Sequence, residues 1–204
     1  MSKNERKSDP RVIRSRQLLR AAVISLIPEK GFGAISVQDI ADRATLNRAT
    51  FYLHYQDKTE LLMDAFEELI ARATPLPPED GLPDLASAPD SIERVFNRIA
   101  EHADFFRVML AEENVPAFAA RVRAYVEEVG LKWLSVLQPD DEKVVVPREI
   151  AINFIGSAFL GVIVWWLQND RPYPAEDMAV QLLRLTALGL HRSLGLEVVS
   201  MPIN

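Results

Sequence analysis

Residues 40–62 read IADRATLNRATFYLHYQDKTELL. The apolar residues of this stretch recur at helical spacing, and the short segment 45–47 divides them between two helices. Two short helices joined by three residues are typical of a helix-turn-helix. The apolar side chains that can hold the second helix in place are Phe32, Val37, Ile40, Ala41, Ala44, Leu46 and Phe51. The sequence therefore predicts a helix-turn-helix over about residues 36–55.

Capping residues mark where each of these helices begins. Ser36 is followed three positions later by Asp39, which is typical of a capping box at the start of the first helix. Asn47 can cap the second helix, which is expected to run from about residue 48 to residue 55. An N-terminus capped in this way carries a positive partial charge, so it can point toward a polyanion.

The rest of the chain is also predicted to be helical. Pro10 suits the first turn of a helix that Gly31 ends, and Pro28 is expected to kink that helix or end it early. Asp57 can cap a fourth helix. Five prolines within residues 74–90 indicate a linker. Helical spacing resumes over residues 91–102, 104–112, 116–137, 147–168 and 174–194. The fold class is therefore all-α, with domains 11–73 and 74–204.

The charge is divided between the two parts of the chain. Residues 1–58 carry 11 Lys and Arg against 6 Asp and Glu, whereas the whole chain has a net charge of −6. A basic N-terminal part on an acidic remainder favours contact between the first part alone and a polyanion. A solvated basic helix face would give the same composition, so charge alone leaves both interpretations open.

The sequence lacks the parts that common enzymes and metal sites need. It contains no cysteine, and its three histidines are scattered. A Gly-rich phosphate loop, an HExxH motif and a serine elbow are absent. We therefore expect no catalytic residue, no metal and no cofactor, and the charged start without an apolar run favours a cytoplasmic protein. Residues 150–167 are uncharged but contain Asn153 and Ser157. We therefore expect no membrane span but a helix that is buried with one face on its own subunit and one on a partner.

The stretch 40–62 resembles the DNA-binding domain of the TetR family of transcriptional regulators, as does EKGFGAISV at residues 29–37. The resemblance covers about residues 11–73, and its most specific part is the Thr-Phe-Tyr-Leu-His-Tyr run from Thr50. The acidic helical remainder is similar in layout to the family's ligand-binding and dimerisation domain. Thr45 stands where the family usually has glycine, so a left-handed backbone there would be strained.

The resemblance implies a set of DNA contacts. Arg48 is expected to contact a guanine, with a phosphate contact as the alternative. Gln38 can pair with adenine or be merely solvated, and Leu53 can face the groove or pack. Arg11, Arg14 and Arg16 on the first helix are expected to add a sequence-independent attraction. The expected DNA-binding residues are Gln38, Arg48, Ala49, Thr50, Tyr52, Leu53, His54 and Lys58, with Tyr52, His54 and Lys58 on the DNA backbone.

The resemblance also implies a homodimer formed by the last two helices, and hence a palindromic double-stranded operator. Gly156 and Gly161 are expected to allow close approach of the partner. The expected function is a ligand-responsive repressor that a small apolar effector releases from DNA. The alternative is a helical carrier or adaptor that binds apolar molecules and no DNA. Candidate pocket residues are Phe66, Phe96, His102, Phe106, Met109, Tyr125, Trp133, Asn153, Phe154 and Trp165.

Overall fold

The structure is a computed structural model that describes residues 9–74, 88–111 and 116–193. Within these ranges it contains nine α-helices, one short 3-10 helix (Asp141–Lys143) and no strand, which confirms the all-α prediction. The helices are α1 (Pro10–Lys30), α2 (Val37–Arg43), α3 (Arg48–Tyr52), α4 (Lys58–Ala71), α5 (Ala88–Glu101), α6 (Ala103–Ala111), α7 (Pro116–Leu137), α8 (Arg148–Gln168) and α9 (Ala175–Ser193).

The chain forms two compact units. One comprises the chain up to Ile70 together with Asp104–Phe118, and the other comprises Ala71–Ala103 and the chain from Ala119 onward. The first unit therefore includes a segment that the sequence assigned to the second domain. The predicted domain limits stay a prediction, and most of the predicted linker lies outside the described residues.

Helix α1 has the ends that its sequence predicts. Asp9 caps it by accepting a hydrogen bond from the Arg11 amide at 2.8 Å, and Pro10 occupies the first turn. Gly31 ends it with φ at 71°, a conformation that suits glycine. Of the two alternatives expected at Pro28, an early end of the helix is wrong, because the helix continues to Lys30, and a kink stays a prediction. Pro28 is exposed and lies in the last turn, so the helix has only two residues after the proline.

The core of the first unit is formed by the facing sides of its helices. Its buried side chains include Leu19, Val23 and Ile27 of α1, Ile40 and Ala41 of α2, Phe51 of α3, and Leu61, Leu62 and Phe66 of α4. Phe118 meets Phe66 edge-on with ring centroids 5.2 Å apart, and it meets Phe105 at 6.0 Å. These edge-to-face contacts join α4, α6 and the start of α7.

In the second unit, helix α9 packs along α5, and aromatic contacts fix α8. The ring of Phe96 meets Trp166 edge-on at 5.2 Å, and the Trp166 indole N–H donates to the Tyr173 carbonyl at 2.8 Å. The turn after α8 holds Asp170 and Arg171 at φ 55°, where residues other than glycine are strained. The Arg171 guanidinium donates to the Ala100 carbonyl at 3.2 Å, which ties this turn to the end of α5.

Helix α8 leaves much of its apolar surface uncovered. By length and composition this helix could cross a membrane. Of its most apolar 18 residues, 22% are buried within the chain. A Cβ on Gly156 would lie 2.8 Å from Val126 Cγ1 of α7, whereas one on Gly161 would meet nothing within 4 Å. Gly156 therefore allows close packing inside the chain, and the expectation that it allows close approach of a partner is corrected. The same expectation for Gly161 stays a prediction.

Candidate nucleic-acid interface

The two helices of the motif begin at side-chain caps. Ser36 Oγ accepts from the Asp39 amide at 3.1 Å, and the Ser36 amide donates to Asp39 Oδ2 at 2.9 Å. Lys30, whose ammonium lies 2.6 Å from Asp39, holds the pKa of that carboxyl well below its ordinary value. Asn47 Oδ1 accepts from the Thr50 amide at 2.7 Å. Both predicted caps are therefore confirmed, and they satisfy amides that would otherwise lack partners.

The turn between the two helices has a left-handed residue. Thr45 has φ at 56°, and its amide donates to the Asp42 carbonyl at 3.0 Å. The next amide, of Leu46, donates to the Ala41 carbonyl at 2.9 Å. A threonine in this conformation costs roughly 1–2 kcal/mol relative to a right-handed one. The expected strain at Thr45 is thus present, and the turn keeps its hydrogen bonds.

Helix α3 is shorter than predicted. It ends at Tyr52, and the amides of His54 and Tyr55 both donate to the Phe51 carbonyl at 3.0 Å. Two amides sharing one carbonyl is a common pattern at helix ends. The predicted extension to Tyr55 is therefore wrong by three residues, and Leu53 and His54 lie in the turn that follows.

The exposed face of α3 carries the side chains expected to meet DNA. Arg48 donates from Nη2 to the Tyr52 hydroxyl at 3.2 Å, and its guanidinium lies 5.5 Å from the centre of that ring. Ala49 is exposed, and Leu53 is 80% exposed, which favours a groove-facing position over packing. Thr50 is half-buried, and its hydroxyl donates to Asn47 Oδ1 at 2.9 Å. Arg48 and Tyr52 are thus already in contact with each other in the protein without DNA.

Gln38 extends this face from the start of α2. Its side chain is exposed, and Nε2 donates to Asp42 Oδ1 at 2.7 Å. An amide group has two N–H donors and one acceptor oxygen, so one donor and the oxygen stay available. Gln38 is therefore oriented by Asp42, and both alternatives for it, a contact with adenine and simple solvation, stay predictions.

His54 is half-buried beside the basic face of α1. Burial lowers the pKa of its imidazole, and the nearby positive charge of Arg16 lowers it further. The ring is therefore mainly neutral at pH 7, so it can approach a phosphate as a hydrogen-bond donor without a full charge.

Lys58 does not project freely from the start of α4. Its ammonium donates to the carbonyls of Phe32 at 2.8 Å, Gly33 at 3.1 Å and Ile35 at 2.7 Å. It also lies 4.7 Å from the centre of the Phe32 ring. The three N–H bonds of this expected phosphate ligand therefore point at the loop between α1 and α2.

Sequence reasoning missed a polar network behind the motif. Arg16 of α1 lies 2.9 Å from Asp64 of α4, and Arg20 lies 3.3 Å from Glu68. The Tyr55 hydroxyl accepts from Arg16 and donates to Asp64, so it joins these two residues. Arg16 and Arg20 are four residues apart, as are Asp64 and Glu68, so each pair lies on one face of its own helix. The sequence does not say which two helix faces meet. Arg16 thus braces the motif, which corrects its expected place on the basic face.

The two halves of the chain match two models of regulator families. Residues 18–65 match the model of bacterial regulatory proteins of the tetR family, and residues 87–187 match that of a transcriptional regulator C-terminal region. The match over 18–65 contains both motif helices, their caps and the exposed face of α3. The chain belongs to the TetR family. Both matching models describe transcriptional regulators.

Curated relatives of this chain include three HTH-type transcriptional regulators of Bacillus subtilis. YxbF, an uncharacterized HTH-type transcriptional regulator of Bacillus subtilis, is 24% identical over 88% of this chain. This chain spans 46% of YxbF's length and 34% of each of two further Bacillus subtilis regulators, YerO and YdeS.

Two solved structures share the fold. A TetR regulator from Streptococcus agalactiae is 24% identical, with a TM-score of 0.63 over 89% of this chain and 98% of its own. FadR of Bacillus subtilis, in complex with stearoyl-CoA, is 18% identical, with a TM-score of 0.59 over 86% of this chain and 99% of its own.

The ten candidate pocket residues are distributed over both units. In the first unit Phe66, Phe106 and Met109 are buried. In the second unit Phe96 is buried, whereas His102, Tyr125 and Trp133 are half-buried. Burial lowers the pKa of His102. Asn153 is exposed, Phe154 is 70% exposed and Trp165 is 45% exposed, so in a single chain these three do not line an enclosed pocket.

Asn153 and Phe154 line an open depression on α8 together with Glu149, Ile150, Ser157 and Ala158, and Trp165 is not among its lining residues. Among the described residues, no group of three or more His, Asp or Glu side chains could hold a metal ion. The candidate site whose expected residues the structure brings together is therefore the exposed face of α3 with Gln38 of α2.

Proposed function

We propose that this TetR-family member is a cytoplasmic, ligand-responsive repressor that binds a palindromic operator as a homodimer. The observation that carries the proposal is the capped helix α3, whose exposed Arg48 and Tyr52 contact each other while Phe51 behind them is fully buried. A helix held in this way can lie in the major groove with its N-terminal residues at base edges.

The proposed contacts divide into those that specify sequence and those that only position the protein. Arg48 can pair with guanine, and Gln38, oriented by Asp42, can pair with adenine. Ala49 and Thr50 lie where a thymine methyl can be contacted. Tyr52 and His54 are assigned to phosphates, which fix the register but carry no sequence information.

A second copy of the chain is the proposed cover for α8 and α9. Their exposed apolar side chains are Ile150 (60%), Phe154 (70%), Trp165 (45%) and Leu185 (73%). Such a face is costly in water, and burying it against the same face of another copy gives a two-fold dimer. The two recognition helices then meet equivalent half-sites, so the operator is expected to be palindromic.

The dimer proposal has a direct test with a matched control. Phe154→Glu and Leu185→Glu each place a charge in the proposed interface, so sedimentation should report monomers at micromolar concentration. Val145→Glu is the control, because Val145 is 71% exposed and lies outside α8 and α9. A dimer that survives both interface variants would contradict the proposal.

An apolar small molecule is the proposed effector. The candidate residues are largely aromatic, which favours an apolar compound. The ligand in the FadR structure, stearoyl-CoA, shares an apolar acyl chain with such a compound but differs from it in carrying an anionic CoA group. The part of the chain after residue 58 is acidic and disfavours anions, so a neutral or cationic compound is preferred. Because coupling is reciprocal, operator DNA must weaken the binding of an effector by the factor with which that effector weakens DNA binding.

Mobility shift with the DNA upstream of the chain's own gene tests the proposed function. We expect a retarded complex that an excess of unlabelled specific DNA removes and random DNA does not. The Arg48→Ala variant should show a weaker preference for the specific DNA while remaining folded and dimeric. A folded, dimeric wild-type protein that binds specific and random DNA equally would contradict the proposal.

A further inference from the structure

We propose that Lys58 is a positioning residue, which holds the loop between α1 and α2 and thereby the start of α2, and that it does not contact phosphate. This inference rests on the proposed DNA binding. An ammonium group has three N–H bonds and no acceptor. The three carbonyl oxygens of Phe32, Gly33 and Ile35 lie within 3.1 Å of the Lys58 nitrogen, so each N–H has one partner in the protein.

The loop that Lys58 contacts has few hydrogen bonds of its own. Residues 32–35 connect α1 to α2, and the Ile35 amide reaches the Phe32 carbonyl only at 3.4 Å. Both Phe32 and Ile35 are buried, so their carbonyls lie where unpaired acceptors would be costly. Lys58 supplies the missing donors from the first residue of α4.

The position of this loop sets the start of α2. Ile35 directly precedes Ser36, whose side chain and amide form the capping box with Asp39. Lys58 directly follows Asp57, whose carboxylate accepts from the amides of Thr59 and Glu60. One side chain therefore joins two helix starts, and moving it would change the angle at which α2 and Gln38 face DNA.

The arrangement of the groups around the Lys58 ammonium favours lysine over arginine at this position. Three convergent carbonyls suit a compact ammonium, and the Phe32 ring offers its face at 4.7 Å. A guanidinium is planar and larger, and its forked donors match a carboxylate or phosphate better than three converging carbonyls. Lys58→Arg therefore separates the two roles, because a phosphate ligand would tolerate arginine and this contact would not.

Hydrogen exchange, thermal melting, operator affinity and its salt dependence, all measured on the whole chain, test the proposal. In the Lys58→Met variant, we expect faster hydrogen exchange at the amides of residues 35–39 and a melting temperature lower by roughly 5 °C. Its affinity for operator should fall about tenfold or more, because a misplaced motif loses contacts on both half-sites. The dependence of log K on log salt should keep the wild-type slope, since no phosphate contact is removed.

Two further variants serve as comparisons. Lys58→Arg should also exchange faster and bind more weakly, although the charge is kept. Arg14→Met removes one exposed positive charge from α1 and should leave hydrogen exchange at residues 35–39 unchanged. A salt slope that falls by about one in Lys58→Met overturns the proposal. So does unchanged exchange in that variant, or full operator affinity in Lys58→Arg.

The exchange and melting measurements need no DNA, which separates this inference from the function it rests on. If the wild-type protein bound no specific DNA, the proposed function would fail while faster exchange in Lys58→Met still supported the structural part. If DNA binding held and exchange were unchanged, only the role of Lys58 would fail.

Discussion

The hydroxyl of Tyr55 lies 2.5 Å from Oδ2 of Asp64 and donates to it. The same hydroxyl accepts from Arg16 Nε at 3.3 Å, and the Arg16 guanidinium lies 2.9 Å from Asp64 Oδ1. Tyr55 is only 2% exposed, so water cannot replace these bonds readily. A single ring thus joins α1, the turn after α3 and α4, and it braces the DNA-facing helix from behind.

Tyr55→Phe removes this hydroxyl and keeps the ring. Because the lost bond is to a carboxylate and is largely shielded, we expect the free energy of unfolding in urea to fall by about 1–3 kcal/mol. The matched control is Tyr52→Phe, whose hydroxyl lies on the exposed face and should change stability by less than about 0.5 kcal/mol. Equal stabilities of the two variants would show that the buried network contributes little.

The same tyrosine predicts a dependence on pH. Burial, together with the hydrogen bond to Asp64, raises the pKa of Tyr55 to about 12. The folded protein therefore holds this proton more tightly than the unfolded chain, whose tyrosine titrates near its ordinary value of 10.0. Its contribution to stability is full below pH 10 and is lost between pH 10 and pH 12. The free energy of unfolding should fall less steeply across that window in Tyr55→Phe than in the wild type.

His54 should make DNA binding depend on pH near neutrality. Its pKa lies below the ordinary value of 6.5 in the free protein because of burial and Arg16, whereas a phosphate beside it would raise the pKa in the complex. Binding would then take up a proton, so affinity should increase as the pH falls from 7.5 to 6.0. The increase should be smaller in His54→Gln, measured by fluorescence anisotropy. An identical pH dependence in both proteins would place His54 away from phosphate.

Arg48→Ala should relax the preference for one base pair in each half-site. The expected cost on the cognate operator is about 1–3 kcal/mol per half-site, because a bidentate contact with guanine is lost. Competition assays with operators substituted at single positions would identify the pair. A loss that is uniform across cognate and scrambled DNA would reassign Arg48 to phosphate.

Gly156→Ala should destabilise the second unit. The new methyl group would lie 2.8 Å from Cγ1 of Val126, a β-branched side chain with few alternative rotamers. We expect the free energy of unfolding to fall by about 1–2 kcal/mol after allowing for alanine's better helix propensity. Val126→Ala in the same chain should recover part of the loss. Gly161→Ala is the control, and equal stability of the two single variants would contradict the packing described.

Local features of this structure could be predicted from the sequence, and contacts between distant residues could not. Ser36, Asn47 and Asp57 were predicted as caps because a cap depends on residues two or three positions away. The Lys58 contact spans 26 residues, and it became visible only when the packing of α1 and α4 was known. The pairing of Tyr55 with Arg16 spans 39 residues and was missed for the same reason.

The different surroundings of the two glycines of α8 also could not be predicted from the sequence. Gly156 and Gly161 lie in one apolar helix and look equivalent in the sequence. Only the packing of α7 distinguishes them, because Val126 lies against Gly156 while no atom lies within 4 Å of a Cβ on Gly161. Similarly, α3 ends at Tyr52, and the buried Tyr55 lies after the helix end. Helical spacing alone does not contain that information.

In the proposed dimer, the two copies of α3 lie in equivalent major grooves of a palindromic site. Selection of bound sequences from random double-stranded DNA tests this arrangement. We expect an inverted repeat whose half-sites are separated by about one helical turn, roughly 10 base pairs, or a multiple of it. The same selection with Arg48→Ala should lose information at one symmetric pair of positions. Enrichment of no sequence, or of a single motif without an inverted copy, would contradict the account.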